Sequence, residues 1–403
     1  MSDASRRSPW MSVAPSVFVL AWGGNHFTPL LHMYETLGGY DAWQANLLLG
    51  MYVVGLIPGL LLAAALADRL GRKPVALVGI GAAAAASLLL AFGMTSFILL
   101  CVGRTLAGVG VGVGMSVGSS WIKELSDRSR EPSTQQTSGA RRSSMTLTLG
   151  FGVGAGITGA LAQWAPAPGQ LPYLVHLALC VMAFVALLRA PESLPLAARA
   201  VGPLWRDLVV PSAGHRTFWG VVVPAAPWVF AAAGVAYAIM PAVVQSRLGD
   251  FSTLYATVLT VVTLGVGVLA QTTVVFLNRI TRGRALIVGL AGMSIGMGSA
   301  VVASAVGSPW LAIIVAVILG ASYGVCVVSG LIVAQSIATP RDLAGMTGIY
   351  YSLTYLGFLL PTLLAASLTV ISYTIGLGLV VVACVASLIR VMTSLRTPGS
   401  KAA

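Results

Sequence analysis

The chain has 403 residues and a formal net charge of +12, with 57% hydrophobic and only 8% charged residues. Its mean hydropathy is +0.91. This composition excludes a soluble globular protein and indicates an integral membrane protein that is surrounded by a lipid bilayer.

Twelve apolar runs recur along the chain, each long enough to cross roughly 30 Å of hydrocarbon as an α-helix. We therefore predict an all-α membrane protein with twelve transmembrane helices in two pseudo-symmetric six-helix bundles. The predicted spans cover about 12–33, 43–66, 75–94, 97–121, 145–164, 171–189, 218–243, 252–277, 286–305, 310–336, 344–366 and 370–391.

Basic residues are concentrated on one side of these spans. If the N-terminus is cytoplasmic, 21 of the 23 Lys and Arg residues fall on the cytoplasmic side. Arg247 lies on the outer side and Arg104 lies within a span. This asymmetry satisfies the positive-inside rule, so we predict a plasma (inner) membrane protein with both termini in the cytoplasm. The net charge is then explained by topology, and no nucleic-acid partner is expected.

A polar, proline-containing segment separates six spans from six. It runs from Ala190 to Thr217 and predicts a cytoplasmic linker (190–217) between an N-terminal bundle (1–189) and a C-terminal bundle (218–403). A shift of about 210 residues lays DRLGRKPVALVG, Asp68 to Gly79, over NRITRGRALIVG, Asn278 to Gly289. Two parallel six-helix repeats are typical of transporters that move substrate by alternating access.

The loop after the second span resembles a motif of the major facilitator superfamily, Gly-x-Leu-Ala-Asp-Arg-x-Gly-Arg-Lys. Ala64 stands at the leading glycine. The fourth span, CVGRTLAGVGVGVG, resembles the family's Arg-x-x-x-Gly motif through Arg104 and Gly108. The resemblance implies a twelve-helix transporter and no enzyme activity. The loop motif is matched by Leu66, Ala67, Asp68, Arg69, Gly71, Arg72 and Lys73.

The same resemblance implies that Asp68 meets the N-terminal end of the eleventh helix and locks the two halves together. The segment TPRDLAG offers an acceptor, with Pro340 before that helix and Asp342 as a possible N-cap. The predicted conformational latch comprises Asp68, Arg69, Gly71, Arg72 and Asp342. The alternative is that Arg72 and Lys73 only anchor the helix ends in the cytoplasm.

Arg104 is the only cation predicted within a span. Placing a cation near a helix centre costs about 2.5–3.5 kcal/mol, so Arg104 should face a polar cavity or a partner. His26 lies at a similar depth, and histidine changes charge near physiological pH. We predict a substrate-orienting or proton-coupling site from Asn25, His26 and Arg104, with His176 as the second titratable candidate. The alternatives are ordinary structural hydrogen bonds, to backbone carbonyls for Arg104 and within the bundle for His26.

The second half carries neutral aromatic and amide groups where the first half has charge. We predict that Tyr237, Gln271, Tyr323 and Tyr355 line the substrate path, which suits an amphiphilic or aromatic compound. The alternative is that several tyrosines are interfacial, an interpretation that fits the span-end residues Tyr40, Tyr173 and Tyr373.

Closely spaced glycines occur in the fourth and fifth spans, and no strand precedes them, so a dinucleotide loop is excluded. We predict close helix packing at these small residues. The run LGFGVGAGITGAL also resembles the antiporter motif Gly-Pro-x-x-Gly-Gly, with Ala155 at the proline and Thr158 at a glycine. The predicted packing glycines are Gly108, Gly112, Gly150, Gly154 and Gly159.

These observations predict a secondary active transporter that exports a small amphiphilic organic compound in exchange for protons. The alternative is a uniporter or symporter for a sugar or another metabolite. A polytopic membrane enzyme would need a grouping such as HExxH or a carboxylate cluster. The chain has no ATP-binding loop, and no cofactor or metal is expected. We expect a monomer whose partners are a small-molecule substrate, protons and the lipid bilayer.

Overall fold

The computed structural model describes residues 9–128, 138–200, 202–204, 208–339 and 342–396. Throughout these ranges the regular structure is helical, with no strand, so the predicted all-α fold class is confirmed. The α-helices are α1 (Ala14–Asn25), α2 (Leu31–Thr36), α3 (Ala42–Leu70), α4 (Arg72–Phe92), α5 (Phe97–Val113), α6 (Ser119–Arg128), α7 (Ser138–Trp164), α8 (Leu171–Leu188), α9 (Val223–Ala225), α10 (Trp228–Gly234), α11 (Met240–Val244), α12 (Ser252–Ile280), α13 (Ala285–Val306), α14 (Pro309–Ser336), α15 (Leu343–Tyr355), α16 (Leu359–Ala366) and α17 (Tyr373–Arg396).

Eleven helical segments in the described ranges are long and apolar enough to cross a membrane. The remaining predicted span, the first in the chain, is built from α1 and α2 with a 3-10 turn at Thr28–Leu30 between them. Pro29 lies in this turn and has no backbone N–H to continue an α-helical ladder. The break places His26 and Phe27 at a helix end.

Within the described residues, three single π-helical turns interrupt the long spans, at Gly114–Gly118, Phe218–Val222 and Val235–Ile239. A π turn inserts one residue into a helix and is frequent at functional sites. Tyr237 lies in the third of these turns. The insertion therefore changes the direction in which this side chain leaves its helix.

The described residues form two compact units. The first comprises Met1–Phe27 and Met51–Leu208, and the second comprises Thr28–Gly50 and Val209–Ala403. In the first unit α1 packs against α7, and α4 packs against α5 and α8; in the second, α14 packs between α12 and α13.

Glycines allow several of these helices to approach closely. In α5, a Cβ on Gly108 would overlap the Tyr52 carbonyl oxygen of α3. A Cβ on Gly112 would lie 2.5 Å from the Leu60 nitrogen. Such distances leave no room for a side chain, so the helix backbones are in direct contact.

Two glycines of α7, Gly150 and Gly154, face α1. A Cβ on Gly150 would lie 2.6 Å from the Ala21 Cβ, and one on Gly154 would lie 2.8 Å from the Trp22 Cα. Gly159 is buried in the same helix. These contacts fix α1, which carries His26 at its C-terminal end.

Candidate functional site

His26 is a buried histidine at the C-terminal end of α1. The residue is only 1% exposed, and neither ring nitrogen has a hydrogen-bond partner in the described protein. The ring meets His176 edge to face at 4.7 Å between centroids and Tyr173 at 5.0 Å. Leaving a buried polar atom unpaired costs about 1–3 kcal/mol, so this position requires a functional explanation.

His176 is fully hydrogen-bonded, in contrast to His26. Its Nε2 lies 2.9 Å from the Val19 carbonyl oxygen, and its Nδ1 lies 2.6 Å from the Ser87 hydroxyl. Because a carbonyl only accepts, Nε2 carries the hydrogen. In the neutral ring, Nδ1 then accepts a hydrogen bond from the Ser87 hydroxyl. Both nitrogens of His176 thus have hydrogen-bond partners, whereas both nitrogens of His26 lack one in the described protein.

Arg104 lies in the same unit and is 0% exposed. Its guanidinium carbon is 4.2 Å from the Phe27 ring centroid and 4.7 Å from that of Tyr52. Aromatic faces attract cations, and the attraction strengthens when water is excluded. Phe27 directly follows His26, so the structure brings His26 and Arg104 into one neighbourhood. Asn25, the remaining residue of this predicted set, is half-buried at the end of α1.

Tyr173 corrects one interpretation of the sequence. Its place near a span end fits the alternative of an interfacial tyrosine, but it is 0% exposed and its ring packs against His26. The interfacial interpretation is therefore wrong for this residue. Position along a span indicates depth, whereas the face of the helix decides between lipid and protein.

An aromatic cluster occupies the second unit. The Phe230 ring stacks on Tyr355 at 4.2 Å and on Phe358 at 4.9 Å between centroids. Tyr323 lies 5.8 Å from Phe230, and Tyr237 lies 6.3 Å from Phe358. The structure thus joins three of the predicted path residues through two phenylalanines that sequence reasoning missed. A phenylalanine in an apolar span gives no signal that distinguishes it from a lipid-facing residue.

Gln271 lies one helical turn from Gly267, the residue of α12 that faces this cluster. Gly267 of α12 faces the Tyr323 ring, since a Cβ there would lie 2.5 Å from Cδ1 of that ring. Residues four apart share a helix face, so Gln271 extends this face by one turn. It is half-buried.

A charged cluster surrounds the loop between α3 and α4. Arg72 donates from Nη1 to the Asp68 carboxylate at 2.6 Å and from Nη2 to Glu124 at 2.9 Å. Glu192 accepts the backbone N–H groups of Arg72 at 3.1 Å and Lys73 at 3.0 Å. Of the predicted latch residues, Arg72 is thus bonded to Glu124 and Glu192, two carboxylates that lie far away in the sequence, and Asp68 is bonded to Arg72.

Gly71 is the residue that allows this arrangement. Its φ is 104°, a region that favours glycine. A Cβ there would also lie 2.6 Å from the Glu192 carboxylate oxygen. Glycine therefore satisfies both the turn and the approach of Glu192 to the start of α4.

Partial burial acts to raise the pKa of Glu192, but the N–H groups of Leu194, Lys73, Arg72 and Ser193 outweigh it and hold this pKa below its ordinary value. The negative charge also lies at the N-terminus of α4, where the helix dipole favours it. Glu192 is therefore a charged cap on α4.

The segment that follows α8 is bonded to this loop at several further points, and we call its residues 188–200 and 202 the linker clasp. Lys73 Nζ donates to the Leu188 carbonyl at 2.5 Å, and Ala200 N–H donates to the Asp68 carbonyl at 2.8 Å. Arg69 donates to the Gly202 carbonyl. The linker clasp thus packs as part of the first unit.

Asp342 belongs to the second unit and is 5% exposed. It occupies the N-cap position of α15, but its side chain makes no cap bond to that helix. It accepts instead from Thr339 N–H and hydroxyl, both at 2.7 Å, and from Ser212 N–H at 2.9 Å. These bonds, the Thr339 hydroxyl first, hold the pKa of Asp342 far below its ordinary value. Pro340 lies outside the described residues.

The repeated loop in the second unit differs in its bonding. Asn278 stands where the first repeat has Asp68, and its side-chain oxygen accepts the Ala285 N–H at 3.2 Å. It therefore caps α13, whereas Asp68 pairs with an arginine.

No cluster of three or more His, Cys, Asp or Glu suited to a metal occurs in the described ranges.

These observations define a helical membrane protein, with buried polar and aromatic groups among its long apolar helices. The family model for the Major Facilitator Superfamily matches residues 13–360. The chain belongs to this superfamily, whose members are transporters and not enzymes. The resemblance inferred from the two motifs is confirmed.

Two solved structures share the fold. A D-xylose-proton symporter aligns with a TM-score of 0.71 at 16% identity and covers 98% of both chains. The nucleoside transporter NupG, as a mutant, aligns with a TM-score of 0.75 at 13% identity, over 96% of this chain and 100% of the other. Identities this low demonstrate a common fold only.

A curated relative gives a shorter match. The multidrug resistance protein MdtL of Klebsiella pneumoniae (strain 342) is 38% identical over 97 residues. The match spans 24% of this chain and 24% of that protein.

Proposed function

We propose that this transporter exports small amphiphilic organic compounds in exchange for protons, by alternating access. The observation on which the proposal rests is His26, a buried titratable ring whose two nitrogens have no hydrogen-bond partner in the described protein. A group that binds and releases a proton needs a free nitrogen in at least one state. Arg104, which lies in the same neighbourhood, places a fixed positive charge near the proton that His26 would carry.

The aromatic cluster of the second unit supports an amphiphilic substrate. Phe230, Tyr355 and Phe358 present stacked rings, and binding pockets for organic molecules are mostly apolar with few polar groups. The partial likeness to a multidrug resistance protein is in line with this proposal. The tyrosine hydroxyls would give the apolar wall its hydrogen-bonding groups.

We further propose that Asp68, with Arg69 and Arg72, acts as a conformational latch between the two halves, as the loop motif implies. The support is that Asp68 remains half-exposed although it pairs with Arg72. A partly exposed carboxylate can exchange partners at lower cost than a fully buried one.

The experiment uses purified protein in liposomes, ethidium as the transported dye and an imposed pH gradient. We expect the gradient to drive dye movement in the wild type and His26→Gln to abolish this response. His215→Gln is the matched control, because His215 is an exposed histidine in the linker. Gradient-driven transport that survives in His26→Gln would contradict the coupling role. Transport that follows only the dye or a sugar gradient would favour the uniporter alternative.

A further inference from the structure

A second polar site lies in the second unit, at the end of the bundle where α3 begins. It is a cavity of about 20 Å³, which accommodates one water-sized group. Its polar lining comes from Thr28, His32, Glu35, Asn46, Tyr237, Gln245 and Ser252. Neither His26 nor Arg104 lines it, and the proposed coupling mechanism does not use it.

The hydrogen-bonding pattern makes this cavity rich in acceptors. Gln245 Nε2 lies 3.2 Å from His32 Nε2, and His32 Nδ1 lies 3.7 Å from the Glu35 carboxylate. An amide nitrogen only donates, so His32 Nε2 accepts this bond and the ring hydrogen is at Nδ1, which lies on the side of Glu35 but has no hydrogen-bond partner in the described protein. The Gln245 oxygen is then left as an acceptor, together with the second Glu35 oxygen.

Asn46 supplies an unsatisfied acceptor. This residue is 3% exposed, and its Nδ2 donates to the Ala42 carbonyl at 2.8 Å. That bond fixes the orientation of the amide. Its Oδ1 is buried and has no hydrogen-bond partner in the described ranges. A buried amide oxygen in a cavity of this size indicates an occupant that donates a hydrogen bond.

Charge narrows the choice of occupant. Glu35 contributes a carboxylate, and no Lys or Arg is among the described residues that line the cavity. A small group that is positively charged and donates several hydrogens matches this lining. A primary ammonium group has three such hydrogens and is similar in size to water.

A wider opening adjoins the cavity. It has a volume of about 520 Å³, shares His32, Gln245 and Ser252 with the small cavity, and is open to the surface. We infer that the small cavity is a subsite for the ammonium head group of a primary amine, with the remainder of the molecule in the wider opening. This inference rests on the proposed export function and names its substrate class.

The experiment measures binding of phenethylamine to the purified full-length protein by isothermal titration calorimetry at neutral pH. We expect Glu35→Gln to weaken binding about tenfold or more, because a hydrogen bond to a charged group is lost. Asp41→Asn is the matched control, since Asp41 is an exposed carboxylate nearby that does not line the cavity. It should bind like the wild type.

A ligand series on the wild type tests the same inference without a variant. We expect phenethyl alcohol and the trimethylammonium analogue of phenethylamine each to bind about tenfold or more weakly than the amine, because the first lacks the charge and the second the hydrogens. Equal binding of the three ligands, equal binding by Glu35→Gln and wild type, or proton uptake at this site without amine binding would each overturn the inference. Amine binding without any response of transport to a pH gradient would instead refute the proton-coupled function and leave the subsite intact.

Discussion

Arg104 illustrates how this protein keeps a full charge inside a membrane-spanning helix. The guanidinium is completely buried and lies over two aromatic rings, Phe27 and Tyr52. A planar, weakly hydrated guanidinium can stack on such faces, whereas an ammonium group is compact and strongly hydrated. A positive charge alone is therefore not sufficient at this position, because the stacking requires a planar guanidinium.

We predict that Arg104→Lys lowers the free energy of unfolding by about 1–3 kcal/mol, because two cation–π contacts are weakened. Dye transport should fall as well, since Phe27 adjoins His26. Thermal melting in detergent and transport in liposomes measure the two effects. Arg189→Lys, at an exposed arginine, should change stability by less than about 0.5 kcal/mol. An unchanged melting temperature in Arg104→Lys would contradict the stacking argument.

At the scale of helices, the contact between α3 and α5 depends on a missing side chain. We predict that Gly108→Ala destabilises the protein by about 1–3 kcal/mol, because the new methyl group would overlap the Tyr52 backbone. Gly152→Ala is the matched control: no atom lies within 4 Å of a Cβ there. Helix propensity alone should make that variant neutral or more stable by up to about 1 kcal/mol. Melting temperatures that move together in the two variants would argue against a packing role.

Glu192, at the start of α4, should make the stability of the folded protein depend on pH in the acidic range. The pKa of Glu192 is lower in the folded protein than its ordinary value, so its charged form contributes stability. This contribution is complete above about pH 5, because an unfolded glutamate has a pKa of about 4.3. It is lost as the pH falls through the pKa of the folded protein. We predict that the melting temperature of Glu192→Gln falls less between neutral and acidic pH than that of the wild type. Asp41→Asn should follow the wild type.

The sequence predicted the helices well because long apolar runs have few alternatives. An error at a helix end is seen at α6, which carries Lys123 and Glu124 and continues to Arg128, beyond the predicted end near residue 121. Charged residues lower the local hydropathy although the backbone stays helical. The break before α2 was missed because one proline is weak evidence within an apolar run.

The candidate site was predictable only where a residue type was unusual for its surroundings. His26 and Arg104 are polar residues in apolar spans and could be found from sequence. Glu192 could not, because its role depends on backbone groups about 120 residues away in the chain. Phe230 lies at the centre of its cluster but is one of many apolar residues. Long-range contacts of common residues are what sequence patterns cannot specify.

At the scale of the whole molecule, the proposed latch predicts that Asp68→Asn impairs transport without unfolding the protein. The charge-assisted bond to Arg72 would be weakened, and the variant would lack the negative charge that the latch requires. Transport in liposomes and thermal melting separate the two effects. Asn278→Asp is the companion variant, since it places a carboxylate at the repeated position. Full transport by a well-folded Asp68→Asn protein would refute the latch.

The contacts of the linker clasp determine where the chain can be divided into two polypeptides. These contacts tie the linker clasp to the loop that starts α4, so the first unit would lose these bonds without it. If the two halves are produced as separate polypeptides in one cell, a break after Leu208 should allow them to reassemble into a working transporter. A break after Leu188 would remove Glu192 from its own half and attach it to the other.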